Sequence, residues 1–501
     1  MATRTWLGLG IDNNWTTTGN WDVTPVAGDD LVFGGSTRTS PNNDFAAATS
    51  FASITFATGA AAFTLTAGNS ITLTGNITNS SSNTQTINIG LILNVATCTI
   101  AATSGAINVA GVISQTGGAR TVTKTGASSL TLGGSNTFSG GFGLTAGTVV
   151  GDASASFGTG TVTCTGGTTI TGTLGNNPVY ANAFVLNGAL TVYAPFSGGY
   201  DVEIAGVISG TGSLALVSDF NGRRMYLSNS NTFSGGVTLG AGSNEAGRLH
   251  IGTSTSLGSG VLTINQSGAN GIEAQVNGLT VANSVVVNSG KTFFLQRNVG
   301  TMLTLSGVIS GAGGVNCGGL ATLSGASTYT GTTVVASGVL TLTGSLASGS
   351  AVTVNSGGTL SGTGTVNGSI TCASGGIVAP GTGGTTIGTL ATAAVTLQAG
   401  STFSVDLNGA GPTADQIASV STISLAGGLT VASLIPSAGR SFTILSATTS
   451  ITGTFTGKAD GSVFSVNGNR LRIKYNATTV TLTSLTRTSQ GFAPMFTQRS
   501  H

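Results

Sequence analysis

The group of ionisable side chains richest in paired acids and bases within the coils of this 501-residue sequence is Asp201, Glu203, Asp219, Arg223 and Arg224. On a strand, residues two apart face the same side, which would put the carboxylates of Asp201 and Glu203 roughly 6 to 7 Å apart. A carboxylate pair at that separation is the equipment of glycoside hydrolysis, one group acting as acid and the other as base or nucleophile. The same pattern also describes a solvated strand face whose acids pair with Arg223 and Arg224. We adopt that second reading, so no catalytic residue is assigned.

Other chemistry-bearing residues are isolated. His250 follows Arg248 and Leu249 and has no cysteine or second internal histidine near it in sequence with which to build a metal site. Gly290-Lys291-Thr292 matches only the end of a phosphate loop, because Val285 takes the place of the first glycine and no helix pattern follows. The aspartates are too scattered for a calcium-binding repeat array. Cys98, Cys164, Cys317 and Cys372 lie far apart, without the close couples of zinc ligands or redox pairs, and read as small core hydrophobes. The expectation is no metal and no cofactor.

The elements that must carry these residues are strands. No Asp, Glu, Lys or Arg occurs between Arg297 and Asp406, nor between Asp44 and Arg120, yet both stretches alternate Val, Leu or Ile with Thr, Ser and Gly. A segment of that length without charge must satisfy its backbone in regular sheets and turn hydroxyls to water. Hydrophobic residues make up 39%, enough for a continuous core, and the 81 glycines lack a collagen period, so they mark turns between many short strands. Sixteen basic against fourteen acidic side chains give a net charge of +2, which argues against nucleic acid as a partner. No apolar run approaches the roughly 20 residues of a transmembrane helix. Nor do residues 1–12 contain the apolar core of a secretory signal, from which we expect a processed precursor or a route other than that export path.

Internal repetition organises the chain. Gly-Val-Ile-Ser begins at Gly111, Gly206 and Gly307, and each copy is followed by an aromatic marker: Asn136-Thr137-Phe138-Ser139-Gly140-Gly141, Asn231-Thr232-Phe233-Ser234-Gly235-Gly236, and the looser Ser327-Thr328-Tyr329-Thr330-Gly331-Thr332. This element, with the leucine-rich Gly/Thr/Ser alternation after it, resembles the passenger-associated transport repeat of bacterial autotransporter passengers. Trp6, Asn13-Asn14-Trp15, Asn20-Trp21 and Asp29-Asp30 resemble the N-terminal module of that group, and Ala414-Asp415-Gln416-Ile417 and Ser441-Phe442-Thr443-Ile444-Leu445 resemble its last coils. The resemblance implies a right-handed parallel β-helix; no membrane β-barrel follows the repeats, which departs from the pattern. Phe138, Phe233 and Tyr329 are expected to stack inside the coils while their Asn and Gly neighbours form corners, with the three Gly-Val-Ile-Ser copies at equivalent positions around the cross-section.

The reading is an all-β chain: an N-terminal cap or attachment module over 1–45, a β-helix shaft over 46–486 and a tail over 487–501. Coils of about 22 residues stacked ~4.8 Å apart would give roughly twenty coils. Function is expected to be structural and non-enzymatic, a display rod on a phage virion surface, as fibre or capsid or tail decoration, in host attachment. A secreted adhesin at the bacterial surface is the alternative, and a polysaccharide-acting enzyme ranks third. Trp6, Trp15, Trp21, Phe492 and Phe496 are the expected capping or attachment residues. Expected partners are other virion or cell-surface structural proteins, sister chains in a trimer, and a surface glycan.

Overall fold

A computed structural model describes residues 1–66, 68–172, 177–194, 201–218, 223–240, 247–266, 271–296, 300–383, 386–408, 413–435 and 439–485. Asp219, Arg297, Phe492, Phe496 and the expected tail lie outside them. The described residues form strands and turns without a helix, and mostly parallel strands stack as a β-solenoid of about 17 turns. The chain divides into two compact units, Met1–Gly313 and Gly314–His501.

In the first unit the turns add short strands to three faces, with markers and tight turns in place of a strand on some of them. One face is a 10-stranded sheet from Thr3–Trp6 to Ile208–Gly210, and the next is a 12-stranded sheet from Thr64–Leu65 to Ile309–Gly311. The third begins as a four-stranded sheet from Thr49–Phe51 to Ile113–Gln115. Period-two alternation sends every second side chain inward. Register then stacks like on like, as in the interior column Ile54, Ile77, Ile100, Lys124, Leu144, Cys164, Leu186. Lys124 is the exception in that column. Its buried ammonium donates to the carbonyls of Thr125, Gly126 and Ala146 at 2.8, 2.6 and 3.1 Å, so the corner supplies the acceptors that burial removed. All four cysteines are fully buried, and burial pushes their thiols up, to about 12 for Cys98 and Cys164 and about 11 for Cys317 and Cys372.

The repeats end sheets. The first Gly-Val-Ile-Ser strand, Ile113–Gln115, is the last of the four-stranded sheet, the second, Ile208–Gly210, the last of the 10-stranded sheet, and the third, Ile309–Gly311, the last of the 12-stranded sheet. The copies therefore sit on three different faces, which corrects the expectation of equivalent positions. The column above Ile113 runs through the marker at Thr137, the turn at Gly158, and strands Val179–Tyr180 and Val202–Ile204; the next strand along the chain is the second copy. One repeat is thus four turns plus one face, and the pattern advances by a face each time. At the first two markers an asparagine replaces the lost ladder partner. Asn136 Oδ1 accepts from Ile113 N at 2.8 Å and its Nδ2 donates to Ser156 O at 2.7 Å; Asn231 does the same with Ile208 N and Ser256 O, both at 2.7 Å.

The N-terminal segment belongs to the first sheet: Thr3–Trp6 pairs in parallel with Asp30–Phe33, which pairs in parallel with Ser53–Phe56. Residues 20–22 then fold back across the edge strand, with an antiparallel Trp6/Trp21 bridge and bonds from Leu7 N to Asn20 O and from Asp22 N to Thr5 O. That antiparallel turn stops the parallel ladder from offering a free edge. The acids concentrated here hold the loops. Asp29 accepts from Ala2 N, Val26 N and Arg4 Nε, the last at 2.7 Å, and Asp44 takes the backbone N–H and hydroxyl of Thr16.

The second unit starts with parallel strands such as Gly338–Leu342, Gly358–Gly362 and Ile377–Pro380. Its end departs from the expected coils: Val463–Val466, Asn469–Tyr475 and Thr479–Ser484 pair antiparallel, and the last returns antiparallel onto Ser441–Ala447. The cause is the two-residue turn Asn467-Gly468, with φ of 47° and 76°, which reverses the chain where a coil would have continued.

Candidate functional site

Spacings of 23, 24 and 23 residues put Glu203, Tyr226, His250 and Glu273 in register on four successive rungs of the first unit. Their neighbours Val202, Ile204, Met225, Leu227, Leu249 and Ile251 are buried, so the four polar residues form a stripe on the outer face. Arg224 and Arg248 pair two positions before Tyr226 and His250, and Asp201 precedes the first strand.

Contacts along the stripe are mutual. The Tyr226 and His250 rings stack with centroids 4.8 Å apart and planes at 29°. Glu273, almost fully buried, lies 3.6 Å from Arg248 Nη1 and 3.5 Å from His250 Nε2. Burial, reinforced by Arg224 and Arg248, pushes the His250 imidazolium down to about 4, so the ring is neutral at pH 7 despite Glu273. Arg224 is held more firmly charged, first by its hydrogen bond to Tyr226 and then by Asp201 and Glu273.

At the Asp201 end the stripe opens into a groove of about 250 Å³ lined by Asn177, Pro178, Val179, Asp201, Glu203 and Tyr226. Asp201 Oδ1 accepts from Arg224 N at 2.9 Å, and Glu203 Oε1 accepts from the Ser228 hydroxyl at 2.6 Å. The structure thus brings Asp201 and Glu203 together, as strand spacing suggested, and adds Tyr226, Arg248, His250 and Glu273, which sequence reasoning left apart. The signal that could have found them is the recurrence of outward polar residues at one coil length. Among the described residues no group of three or more His, Cys, Asp or Glu is placed to hold a metal ion.

The tryptophans expected as capping or attachment residues lie at the N-terminal end of the first unit. Trp6, Trp15 and Trp21 are buried, packed edge-on with one another and against Phe33, with Phe51 against Trp15. Their rings fill the first turns and are not presented to a partner. What the cap turns outward is Leu9, 72% exposed, Ile11, 90% exposed, Val23 and Val26. Phe138, Phe233 and Tyr329 are fully buried. Compared with protein-family models and with curated proteins, the chain matches none.

Proposed function

We propose that this chain is a non-catalytic display solenoid, carried on a virion surface as a fibre or decoration protein, with a secreted adhesin as the alternative. One observation carries the structural part of the reading: interior polar side chains are spent on closing the backbone. Asn136, Asn231 and Lys124 do so, as does Asn182 with the carbonyls of Gly158 and Gly160, and the half-buried Asn283 makes the matching bonds to Gly258 and Gly260. Such a scaffold stacks each coil on its neighbours and carries other chemistry only where its outer face departs from Thr and Ser. The likeness of the markers to passenger repeats and the charge-poor coils support the same reading.

Attachment falls to the cap, through Leu9 and Ile11 instead of the enclosed indoles, with a virion structural protein as the partner. Self-association as a trimer belongs to the same proposal. Mass spectrometry of particles purified from cells that make the protein tests it: the chain is expected at stoichiometric copy number. Leu9→Glu with Ile11→Glu is expected to abolish incorporation while leaving the circular dichroism spectrum unchanged. Particles free of the chain, with all of it secreted, would favour the adhesin.

A further inference from the structure

We infer that the groove between Asn177 and Tyr226 is a binding subsite for one uncharged, hydroxyl-rich ring, the sugar residue of a neutral glycan. This goes beyond the display role and holds for either version of it.

The groove first sets the size of the occupant. At about 250 Å³ it is smaller than the clefts that enclose drug-sized ligands, so it accommodates a single ring of a longer chain that continues over the surface. Its acceptors set the chemistry. Asp201 and Glu203 each commit one oxygen to the scaffold, Oδ1 to Arg224 N and Oε1 to Ser228. Among the described residues Asp201 Oδ2 and Glu203 Oε2 take no hydrogen bond, so two charged acceptors two residues apart border the same groove. Neighbouring hydroxyls of a sugar ring are the matching donors. Asn177 uses its Oδ1 to accept Asp201 N at 2.9 Å, which leaves its Nδ2 to donate to a ring or hydroxyl oxygen.

Tyr226 supplies the apolar side. One face of its ring is stacked on His250; the opposite face is on the side of the Glu203 rung, where the groove lies. An aromatic face beside paired acceptors suits a ligand with C–H bonds on one side and hydroxyls on its edge. Charge excludes the other classes. Asp201, Glu203 and Glu273 are balanced by Arg223, Arg224 and Arg248 and His250 is neutral, so the stripe offers no net field to a polyanion or a polycation.

The test is binding of the full chain to an array of immobilised oligosaccharides, neutral and anionic, with immobilised spermine as the cationic probe. Binding to a neutral glycan is expected. Asp201→Asn combined with Glu203→Gln keeps both scaffold bonds and is expected to weaken binding by about tenfold or more, since each loses a charged acceptor. Val179→Trp fills the groove from a half-exposed position without touching any of these hydrogen bonds and is expected to abolish binding, so a folding defect in the double variant does not decide the matter. Binding to no neutral glycan, tighter binding to anionic glycans or spermine, or full binding by Val179→Trp overturns the proposal. The particle measurement above is unaffected by any of these outcomes.

Discussion

Gly158 and Gly258 show how a single residue sets the repeat. Their φ values are +66° and +65°, and a Cβ at either would collide with the carbonyl oxygen of the marker aromatic, Phe138 or Phe233, and lie 2.9 Å from a carbon of its ring. Gly167 has a similar φ of +72° but open space around it. Gly167→Ala is therefore expected to cost only the left-handed strain, about 1 kcal/mol. Gly158→Ala adds overpacking and is expected to cost roughly 3 kcal/mol in denaturant titrations; equal costs at the two positions would mean that the marker contact is not what requires glycine. The sequence made Phe138 and Phe233 legible as interior residues, because an aromatic recurring in a Gly-rich frame has few other places to go. It did not single out Gly158 or Gly258, which look like any other turn glycine until the marker is stacked beneath them. The role of Asn136 and Asn231 was only half legible: a corner was expected, whereas the amide stands in for a missing ladder partner.

At the scale of strands, alternation told where strands lie and not which way they run. Leu471 and Ile473 point inward and Arg470, Arg472 and Lys474 outward, a pattern equally good for a coil or a hairpin. Only Asn467-Gly468, a two-residue turn of positive φ, carries the direction. The polar stripe was hidden for a related reason: coil lengths vary, so register had to be known before Glu203, Tyr226, His250 and Glu273 could be aligned. In the second unit, Asp415 closes the hairpin of Leu407 and Ala414, accepting from Gly388 N at 2.8 Å and from Asp406 N at 3.0 Å. Burial raises its carboxyl to about 6, the two N–H donors oppose that, and the Asp406 carboxylate adds to it. The folded state thus keeps a proton between pH 4 and 6 that the unfolded chain, at its ordinary 3.8, has released. The stability Asp415 contributes is fully present below pH 4 and falls as pH rises through 6, by on the order of 2 kcal/mol. Asp29 works the other way: Arg4 holds it down to about 2, so its contribution is lost only as pH falls below 4. Asp415→Asn is expected to flatten the slope of unfolding free energy between pH 4 and 6 and leave the acid limb in place. An unchanged slope would assign the proton to another group.

For the molecule as a whole, composition was the safest guide to architecture and a poor guide to boundaries. Charge-free alternating stretches demanded stacked strands, and the stacked strands are there. The estimate of roughly twenty coils at about 22 residues each came out high against about 17 turns: spacing between rungs runs from 18 residues at Val352 and Ile370 to 28 at Ile423 and Ile451, and the antiparallel strands from Val463 onward add no parallel coil. Acids and tryptophans in residues 1–45 suggested a cap or attachment module; Thr3–Trp6 is the first rung of the sheet that follows, and the acids serve its loops. A solenoid has no second layer to hide its end, so the indoles and the fold-back at Trp21 must do it. Deleting residues 1–28 takes them away, opens the edge of Asp30–Phe33 and uncovers Phe33 and Phe51, which are fully buried in the intact chain. An open parallel edge over an aromatic core is a template for a second chain. The truncated protein is therefore expected to keep its β-sheet circular dichroism and to self-associate, seen as a mass increase in light scattering at micromolar concentration together with new binding of a hydrophobic dye. A truncated chain whose mass and dye binding match those of the intact protein would place the cap's contribution outside the sheet edge.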